Sequence, residues 1–246
     1  MYINEDDLVL VAPVAGSLLD DYLAKGFYRY RQLLFTTFYI EYHNVLHDIF
    51  WLRTHVPSVQ LSSSAKRISK QNKRFSYTIS PLQITEEMEA LFALYRKHVT
   101  FEHAQTVHDN LFGDSLNNIF ESYVIKVYDG DTLIAFGCFD KGEKSIAGIL
   151  NAYQPNYKKY SLGKYLILLK LQYCINHNIT YYYTGYIGIG LHYFDYKIFP
   201  DENAIQVLLH EPAVWIPYNK VGKIGLEEFG LLAHIWQANE TQDDIE

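Results

Sequence analysis

The sequence predicts an α+β fold, a mixed sheet flanked by helices, with a small strand-rich domain at its N-terminus. Three observations carry this expectation. Hydrophobic residues make up 49% of the 246 and charged residues 20%, enough apolar material for a substantial core and too little charge for a disordered chain. The chain holds 22 Tyr, 14 Phe and 3 Trp, and aromatic residues favour strands and line partly polar cavities, since tyrosine joins a large apolar ring to a hydroxyl. Short apolar runs bounded by turn residues alternate with segments of helical period. The longest apolar run, residues 133–139, is strand-sized, so no membrane span is expected. Glu5, Asp6 and Asp7 stand where a signal peptide needs positive charge, and Cys138 and Cys174 are too few for a disulfide framework, so a cytoplasmic protein is expected.

Residues 33–41 and 46–54 are apolar, aromatic runs on either side of Tyr42-His43-Asn44-Val45, which predicts a hairpin. Pro57 breaks the pattern, and Ser62, Ser63 and Ser64 offer N-caps for a short polar helix that closes a first domain at residue 74. A second domain spans 75–212. It opens with a strand at 77–79 and a helix over 86–99 capped by Thr85, with Met88, Leu91, Phe92 and Tyr95 at helical spacing; another helix is expected between His103 and Phe112. Strands at 122–128 and 132–139 are joined by Asp129-Gly130-Asp131, a strong turn signal, and a third strand covers 145–153. After Pro155-Asn156 come a helix over 162–177 and strands at 179–184 and 204–209. Residues 213–246 form an extension with a helix over 226–237 and an acidic tail. From residue 75 this is the element order of the acyl-CoA N-acyltransferase-like (GNAT) fold. There the loop and helix after the third hairpin strand offer free backbone N–H groups to phosphate. Only Gly163 remains of the glycine-rich loop that cradles coenzyme A in such proteins, so acetyl-CoA is not expected as a cofactor.

The net charge of −7 conceals a division. Residues 61–80 hold Lys66, Arg67, Lys70, Lys73 and Arg74 and no acid; residues 144–194 hold Lys144, Lys158, Lys159, Lys164 and Lys170 and again no acid. A tyrosine-rich sheet core with no room for charge would produce such gaps, and so would an electropositive face that accepts phosphates. No metal site is expected: His43 and His47 fall in the hairpin, where four apart is too far for one ion, and His98, His103 and His108 have helix-surface spacing. No HExxH, CxxC or phosphate-binding loop occurs, nor a convincing Ser-His-Asp arrangement.

Three motifs in order carry a family likeness. They are Tyr153-x-Pro155-x-Tyr157-Lys158-Lys159-x-Ser161-Leu162-Gly163-x-Tyr165, then Tyr181-Tyr182-Tyr183-x-Gly185-Tyr186 with Gly190, then Tyr196-Lys197-x-Phe199-Pro200. Upstream, Gly26-Phe27-Tyr28-Arg29 and Ser62-x-Ser64-x-Lys66-Arg67-x-x-Lys70-x-Asn72 match two further patterns. From about residue 20 to 200 the chain resembles the arginyl-tRNA–protein transferases and their bacterial leucyl-transferring relatives. The resemblance implies transfer of an amino acid, Arg or Leu, from aminoacyl-tRNA to a protein N-terminus, the chemistry of protein arginylation and the N-end rule. Aminoacyl-tRNA and acceptor N-termini are then the partners, and no cofactor is implied besides the charged tRNA. Arg29, Lys66, Arg67, Lys70, Asn72, Tyr153, Lys158, Lys159, Gly163, Lys164, Gly185 and Lys197 are carried over as residues that hold tRNA or substrate. Ser161 and Tyr186 are carried over as catalytic, Ser161 near the donor's phosphate or ester end and Tyr186 bonding the developing oxyanion or the amine.

Two departures qualify the likeness. The family's N-terminal cysteine cluster, thought to hold a metal or iron–sulfur group, has no counterpart in Phe35-Thr36-Thr37-Phe38-Tyr39. Its G-C-x-K-M segment is replaced by Leu191-His192-Tyr193-Phe194 after Gly190. A CoA-dependent acyltransferase and a non-catalytic module binding N-termini or RNA therefore stand beside the transferase as readings. For the transferase, the strand before Pro155 and the strand ending at Gly185 should part to open a site, and the two basic stretches should border one cleft.

Overall fold

The computed structural model describes residues 8–9, 13–99, 104–210 and 213–243. His103 and the acidic N-terminal residues 5–7 lie outside the described residues.

The chain opens with β1 (Leu8–Val9), α1 (Ser17–Ala24), β2 (Tyr28–Tyr30) and β3 (Leu33–Phe35); β3 pairs antiparallel with both β1 and β2 in a small sheet. β4 (Tyr39–Tyr42) and β5 (Val45–His55) form the hairpin, and its turn residues His43 and Asn44 both have positive φ, 49° and 60°, as a two-residue I′ turn requires. The expected arm at 33–41 is broken because Thr37 folds on itself: its hydroxyl donates to the Tyr39 carbonyl at 2.7 Å, so residues 33–35 belong to the small sheet. Next, α2 (Ser63–Asn72) is capped by Ser62, whose hydroxyl accepts from the Ala65 N–H at 3.2 Å. It buries Ala65, Ile68 and Asn72 and leaves Lys66, Arg67 and Lys70 exposed.

β6 (Ser76–Pro81), α3 (Glu86–Arg96) and α4 (Val107–Leu111) lead to the meander β7 (Ser122–Asp129), β8 (Thr132–Lys141) and β9 (Ser145–Tyr153). A 3-10 turn at Pro155–Tyr160 runs into α5 (Leu162–Asn176); β10 (Tyr181–Gly188), β11 (Ile205–His210), β12 (Ala213–Pro217) and α6 (Tyr218–Asp243), kinked at Gly222, follow. The large sheet is mixed, in the order β12-β11-β5-β10-β9-β8-β7-β6, with β4 attached to β5.

The boundary expected at residue 74 does not divide this sheet. β5 lies in its interior, antiparallel to β10 on one side and β11 on the other. Ile49, Phe50, Trp51 and Leu52 are all buried, so both faces of the strand are covered, whereas a hairpin arm would keep one face wet. The extension beyond residue 212 likewise contributes β12. α5 is apolar on every side and is buried from Leu162 to Cys174 apart from Gly163, Lys164 and Gln172. Its one buried charge, Lys170, donates to the Asn151 carboxamide oxygen at 2.9 Å, and burial lowers its ammonium to about 8. Both cysteines are core residues, and burial pushes the Cys138 thiol up to about 12.

A buried ion pair joins the small sheet to the large one. Arg29 in β2 meets Asp140 in β8 at 2.8 Å, with side chains 2% and 1% exposed. The same guanidinium donates to the Ser122 hydroxyl and the Leu111 carbonyl, while the second Asp140 oxygen has no hydrogen-bond partner among the described residues. Burial raises the Asp140 carboxyl above its ordinary range, against the pull of Arg29. Arg29→Met would leave that buried carboxylate with the Ser122 hydroxyl and without its cationic partner, so a loss of about 3–5 kcal/mol in unfolding free energy is expected by urea denaturation; a change under 1 kcal/mol would refute the pairing.

Candidate active site

β9 and β10 run parallel but pair only through Tyr181–Ser145, Tyr182–Ile146 and Tyr183–Ala147. Beyond that they separate, as the sequence predicts. The fork is filled by Tyr28, whose hydroxyl donates to the Tyr183 carbonyl at 2.7 Å and lies 3.2 Å from the Gly148 carbonyl. Its ring stacks on Trp51 at 4.9 Å with a 12° interplanar angle.

The opening is a cavity of about 510 Å³. Its wall takes Tyr28, Tyr30 and Arg31 from the small sheet, Trp51 from β5, Tyr95 from α3, Asn151 from β9, Gly185 and Tyr186 from β10, and Tyr196 and Lys197 from the turn that follows. The register of β10 explains why Tyr186 points there. Tyr183 pairs with Arg53 and Gly185 with Leu52, so Thr184 is an extra residue. One extra residue reverses the alternation of side chains. Tyr186 thereby joins Tyr183 and Trp51 on one face, its ring edge-on to Trp51 at 5.3 Å and to Phe194 at 5.0 Å. Burial pushes its phenol up to about 12, so it remains a proton donor at neutral pH.

Lys197 lies beside it. Its Nζ sits 4.5 Å from the centroids of both Tyr186 and Phe194. A Cβ on Gly185 would stand 2.8 Å from that nitrogen. The residue keeps part of its surface open, yet its ammonium is desolvated, and burial lowers it to about 7. The one carboxylate among the described lining residues, Asp109, is engaged by Arg31 at 3.0 Å.

The remaining sequence-derived residues divide into two groups. Lys66, Arg67, Lys70, Lys158, Lys159 and Lys164 are exposed. The elements that carry them touch: Gln71 of α2 donates to the Lys159 carbonyl at 3.2 Å, Asn72 donates to the Tyr160 carbonyl at 2.9 Å, and Lys164 rests 5.2 Å over Phe199, two residues from Lys197. Tyr153 stands edge-on to Tyr95 at 5.0 Å, and a Cβ on Gly163 would meet its ring at 3.2 Å, so these two connect α5 to the cavity wall. In the second group, Asn72 is fully buried and ties α2 to the 155–160 turn, where no tRNA reaches it. Arg29 is committed to Asp140, and its guanidinium serves the fold. Ser161 is exposed at the start of α5 in the left-handed conformation, φ 52°, caps nothing with its hydroxyl, and is not part of the cavity wall. Sequence reasoning missed Tyr28, Arg31, Trp51 and Tyr95 as cavity residues; in Tyr28-Arg29-Tyr30-Arg31 the alternation of ring and cation was the available signal.

The residues present do not fit an iron–sulfur or zinc group. Where the family's cysteines would stand, Phe35 and Thr37 pack around Trp51, and among the described residues no three His, Cys, Asp or Glu side chains are grouped to hold a metal ion.

Gly185 has φ +100°, which a side chain disfavours, and the space its Cβ would need is held by Lys197. Gly185→Ala is expected to cost about 1–3 kcal/mol of stability in urea denaturation and to displace Lys197 from its ring cage. Wild-type stability in this variant would contradict the close approach.

Residues 87–200 match the family model described as arginine-tRNA-protein transferase, C terminus. The chain is 25% identical over 169 residues to an aspartate/glutamate leucyltransferase of Vibrio vulnificus, covering 67% of this chain and 69% of that protein. It is 29% identical over 151 residues to the Nitrosococcus oceani protein of the same name, covering 59% and 62%, less than two thirds of that relative's length. Among solved structures, a C-terminal DUF2156 domain from Agrobacterium fabrum aligns with a TM-score of 0.45 at 13% identity, over 62% of this chain and 56% of that one, a likeness too slight to bear on the fold. The family description and the relatives' names are those of aminoacyltransferases, and at low identity this chain is similar to the arginyl- and leucyl-transferring enzymes among them.

Proposed function

We propose that this protein transfers an amino acid from a charged tRNA to the N-terminal amine of an acceptor protein, on a GNAT-like fold and in the cytoplasm. One observation carries the reading: the two acid-free stretches, distant in sequence, meet where Gln71 and Asn72 of α2 bond the Lys159 and Tyr160 carbonyls, and Lys164 of α5 lies over Phe199, two residues from the cavity residue Lys197. In this reading Lys66, Arg67, Lys70, Lys158, Lys159 and Lys164 meet phosphates of the tRNA acceptor arm, and the aminoacyl ester enters the fork between β9 and β10. The donor is already activated, so the protein's work is to hold the ester, orient the amine and manage protons. The Tyr186 phenol, protonated at neutral pH, is suited to donate to the oxyanion formed at the ester carbonyl. The relatives' names supply leucine as one donor and aspartate or glutamate as acceptors to be tried first. No metal is assigned to the reaction.

The reversal Lys66→Glu with Arg67→Glu tests the surface. These side chains are exposed, so the fold should persist while affinity for tRNA falls for every tRNA sequence. The slope of log affinity against log salt should flatten by about 0.7–0.9 per charge removed. Filter binding at several salt concentrations measures both. Equal binding by wild type and variant would exclude this surface as the tRNA site. Transfer of a radiolabelled amino acid to peptides beginning with Asp, Glu, Lys and Arg tests the activity, and a wild type that binds charged tRNA without transferring would make the protein a binding module.

A further inference from the structure

Peptide-bond formation from an ester begins with a difficulty that the tRNA does not solve. At neutral pH the acceptor's α-amine is largely an ammonium ion, which has no lone pair with which to attack. A group in the cavity must take that proton, and the choice is narrow. The phenols of Tyr28, Tyr95 and Tyr186 are raised by burial, so none is an anion able to accept a proton. Asp109, the lining carboxylate, is held by Arg31. No histidine among the described residues lines the cavity.

Lys197 remains. Three features set it apart from the exposed lysines of the basic surface. Its Nζ is enclosed by the Tyr186 and Phe194 rings and lies against the backbone of Gly185, at the fork of the sheet. It has no carboxylate partner among the described residues, and burial lowers its proton affinity. It shares the cavity wall with Tyr186. The other titratable and charged groups on that wall are Tyr28, Arg29 and Tyr30 of β2 with the adjoining Arg31, Tyr95 of α3, Asp109 of α4, Tyr182 of β10 and Tyr196 of its own turn. Asp195, on the same turn, is drawn away to Lys223 at 2.9 Å. A lysine placed merely to hold a phosphate or carboxylate would be expected at the surface or beside an acid; this one is enclosed at the fork of the sheet, where burial disfavours its charge.

We infer that the uncharged Lys197 amine is the general base that takes a proton from the acceptor's α-ammonium. This rests on the transfer reading above. The step balances as follows. Lys197 accepts one proton and becomes an ammonium, and the freed α-amine attacks the ester carbonyl, forming the C–N bond and an oxyanion. The oxyanion collapses, the bond from the carbonyl carbon to the ribose oxygen breaks, and Lys197 returns its proton to that departing oxygen. The second proton of the attacking nitrogen leaves to solvent, so each new amide releases one proton overall. Burial lowers Lys197 to about 7, which leaves it able to accept and to return a proton near neutral pH.

The pH dependence follows from the sign of that equilibrium. The base is competent when unprotonated, so the single-turnover transfer rate at saturating donor should rise with pH through about 7 and then level off. Lys197→Arg keeps the positive charge and supplies no base. It should bind charged tRNA as wild type does, transfer at least about a hundredfold more slowly, and show a rising limb only in the range of the acceptor's own α-amine, about 8. Were Lys197 instead a cationic anchor, the wild-type rate would fall with rising pH and the arginine variant would retain activity; either result overturns the assignment. Urea midpoints for wild type and variant establish that the arginine protein is folded. A second measurement needs neither mutation nor activity: competitive acetylation of the wild type with acetic anhydride across pH, read residue by residue by mass spectrometry. Lys197 should titrate near 7, and a Lys197 that titrates only in the ordinary lysine range, about 10.4, removes the base. A wild type that transfers from no charged tRNA, while Lys197 still titrates near 7, overturns the transfer reading and the role with it, and separates that failure from a failure of Lys197 alone.

Discussion

The Tyr28 hydroxyl at the fork of β9 and β10 is the contact on which the site depends. Parallel strands that part after three residue pairs leave carbonyls facing each other across a gap with no N–H to meet them. A buried, unsatisfied carbonyl costs on the order of 1–3 kcal/mol. One phenol beside two of those groups, with its ring stacked on Trp51, makes the fork stable without closing it. Burial raises that phenol well above its ordinary range, so it keeps the proton it donates. The next residue, Arg29, turns to the other side of β2 and anchors in Asp140. Two consecutive residues thus fasten the small sheet to the large one at separate points, and the cavity lies where the two sheets meet.

The positive charges serve two physical regimes. Those on α2 and the 155–160 turn stand in water, where salt screens them within about 8–10 Å and where they can gather a polyanion without ordering it. Lys197 stands among rings, where solvent does not stabilise its charge and where proton affinity responds to what enters the cavity. An overall charge of −7 is compatible with both, because the acids lie outside the two basic stretches. The tyrosine content has a matching use: each ring supplies apolar wall, and each hydroxyl can serve a backbone carbonyl, as Tyr28 does, or face substrate, as Tyr186 can.

Local signals were legible in the sequence because their causes are local. Ser62 caps α2 through a neighbour three residues on, and Asp129-Gly130-Asp131 turns β7 into β8 with Gly130 at φ 60°. The parting of β9 and β10 was legible too, through element order. What could not be read depends on partners far along the chain. Asn72 sits among basic residues and has the look of a ligand contact until Tyr160, 88 residues on, accepts its N–H. Arg29 has the same look until Asp140, 111 residues on, takes it into the core. The interior place of β5 was invisible for a related reason: its neighbours β10 and β11 lie more than 100 residues downstream, and only its two-sided burial discloses them.

The stretch at 35–39, where the family resemblance implies a cysteine cluster, shows how one packing problem admits two solutions. Strands as short as β2 and β3, three residues each, cannot hold themselves together by ladder hydrogen bonds alone. A metal held by thiolates would staple them. Here Trp51 occupies the junction: Tyr28 stacks on it, Phe35 meets it edge-on at 5.7 Å, and its indole N–H donates to the Thr37 carbonyl at 3.1 Å. It is 2% exposed, so nearly the whole indole surface is used in this contact. Full burial of so large a ring is worth several kcal/mol, comparable with the about 2–5 kcal/mol lost when a covalent cross-link is removed from a small domain. Unlike a cluster, it needs no assembly and no redox environment. Because the same Trp51 supports the Tyr186 ring, the aromatic staple also sets the position of the phenol at the fork, so in this chain the packing of the small sheet and the geometry of the site are one structural problem.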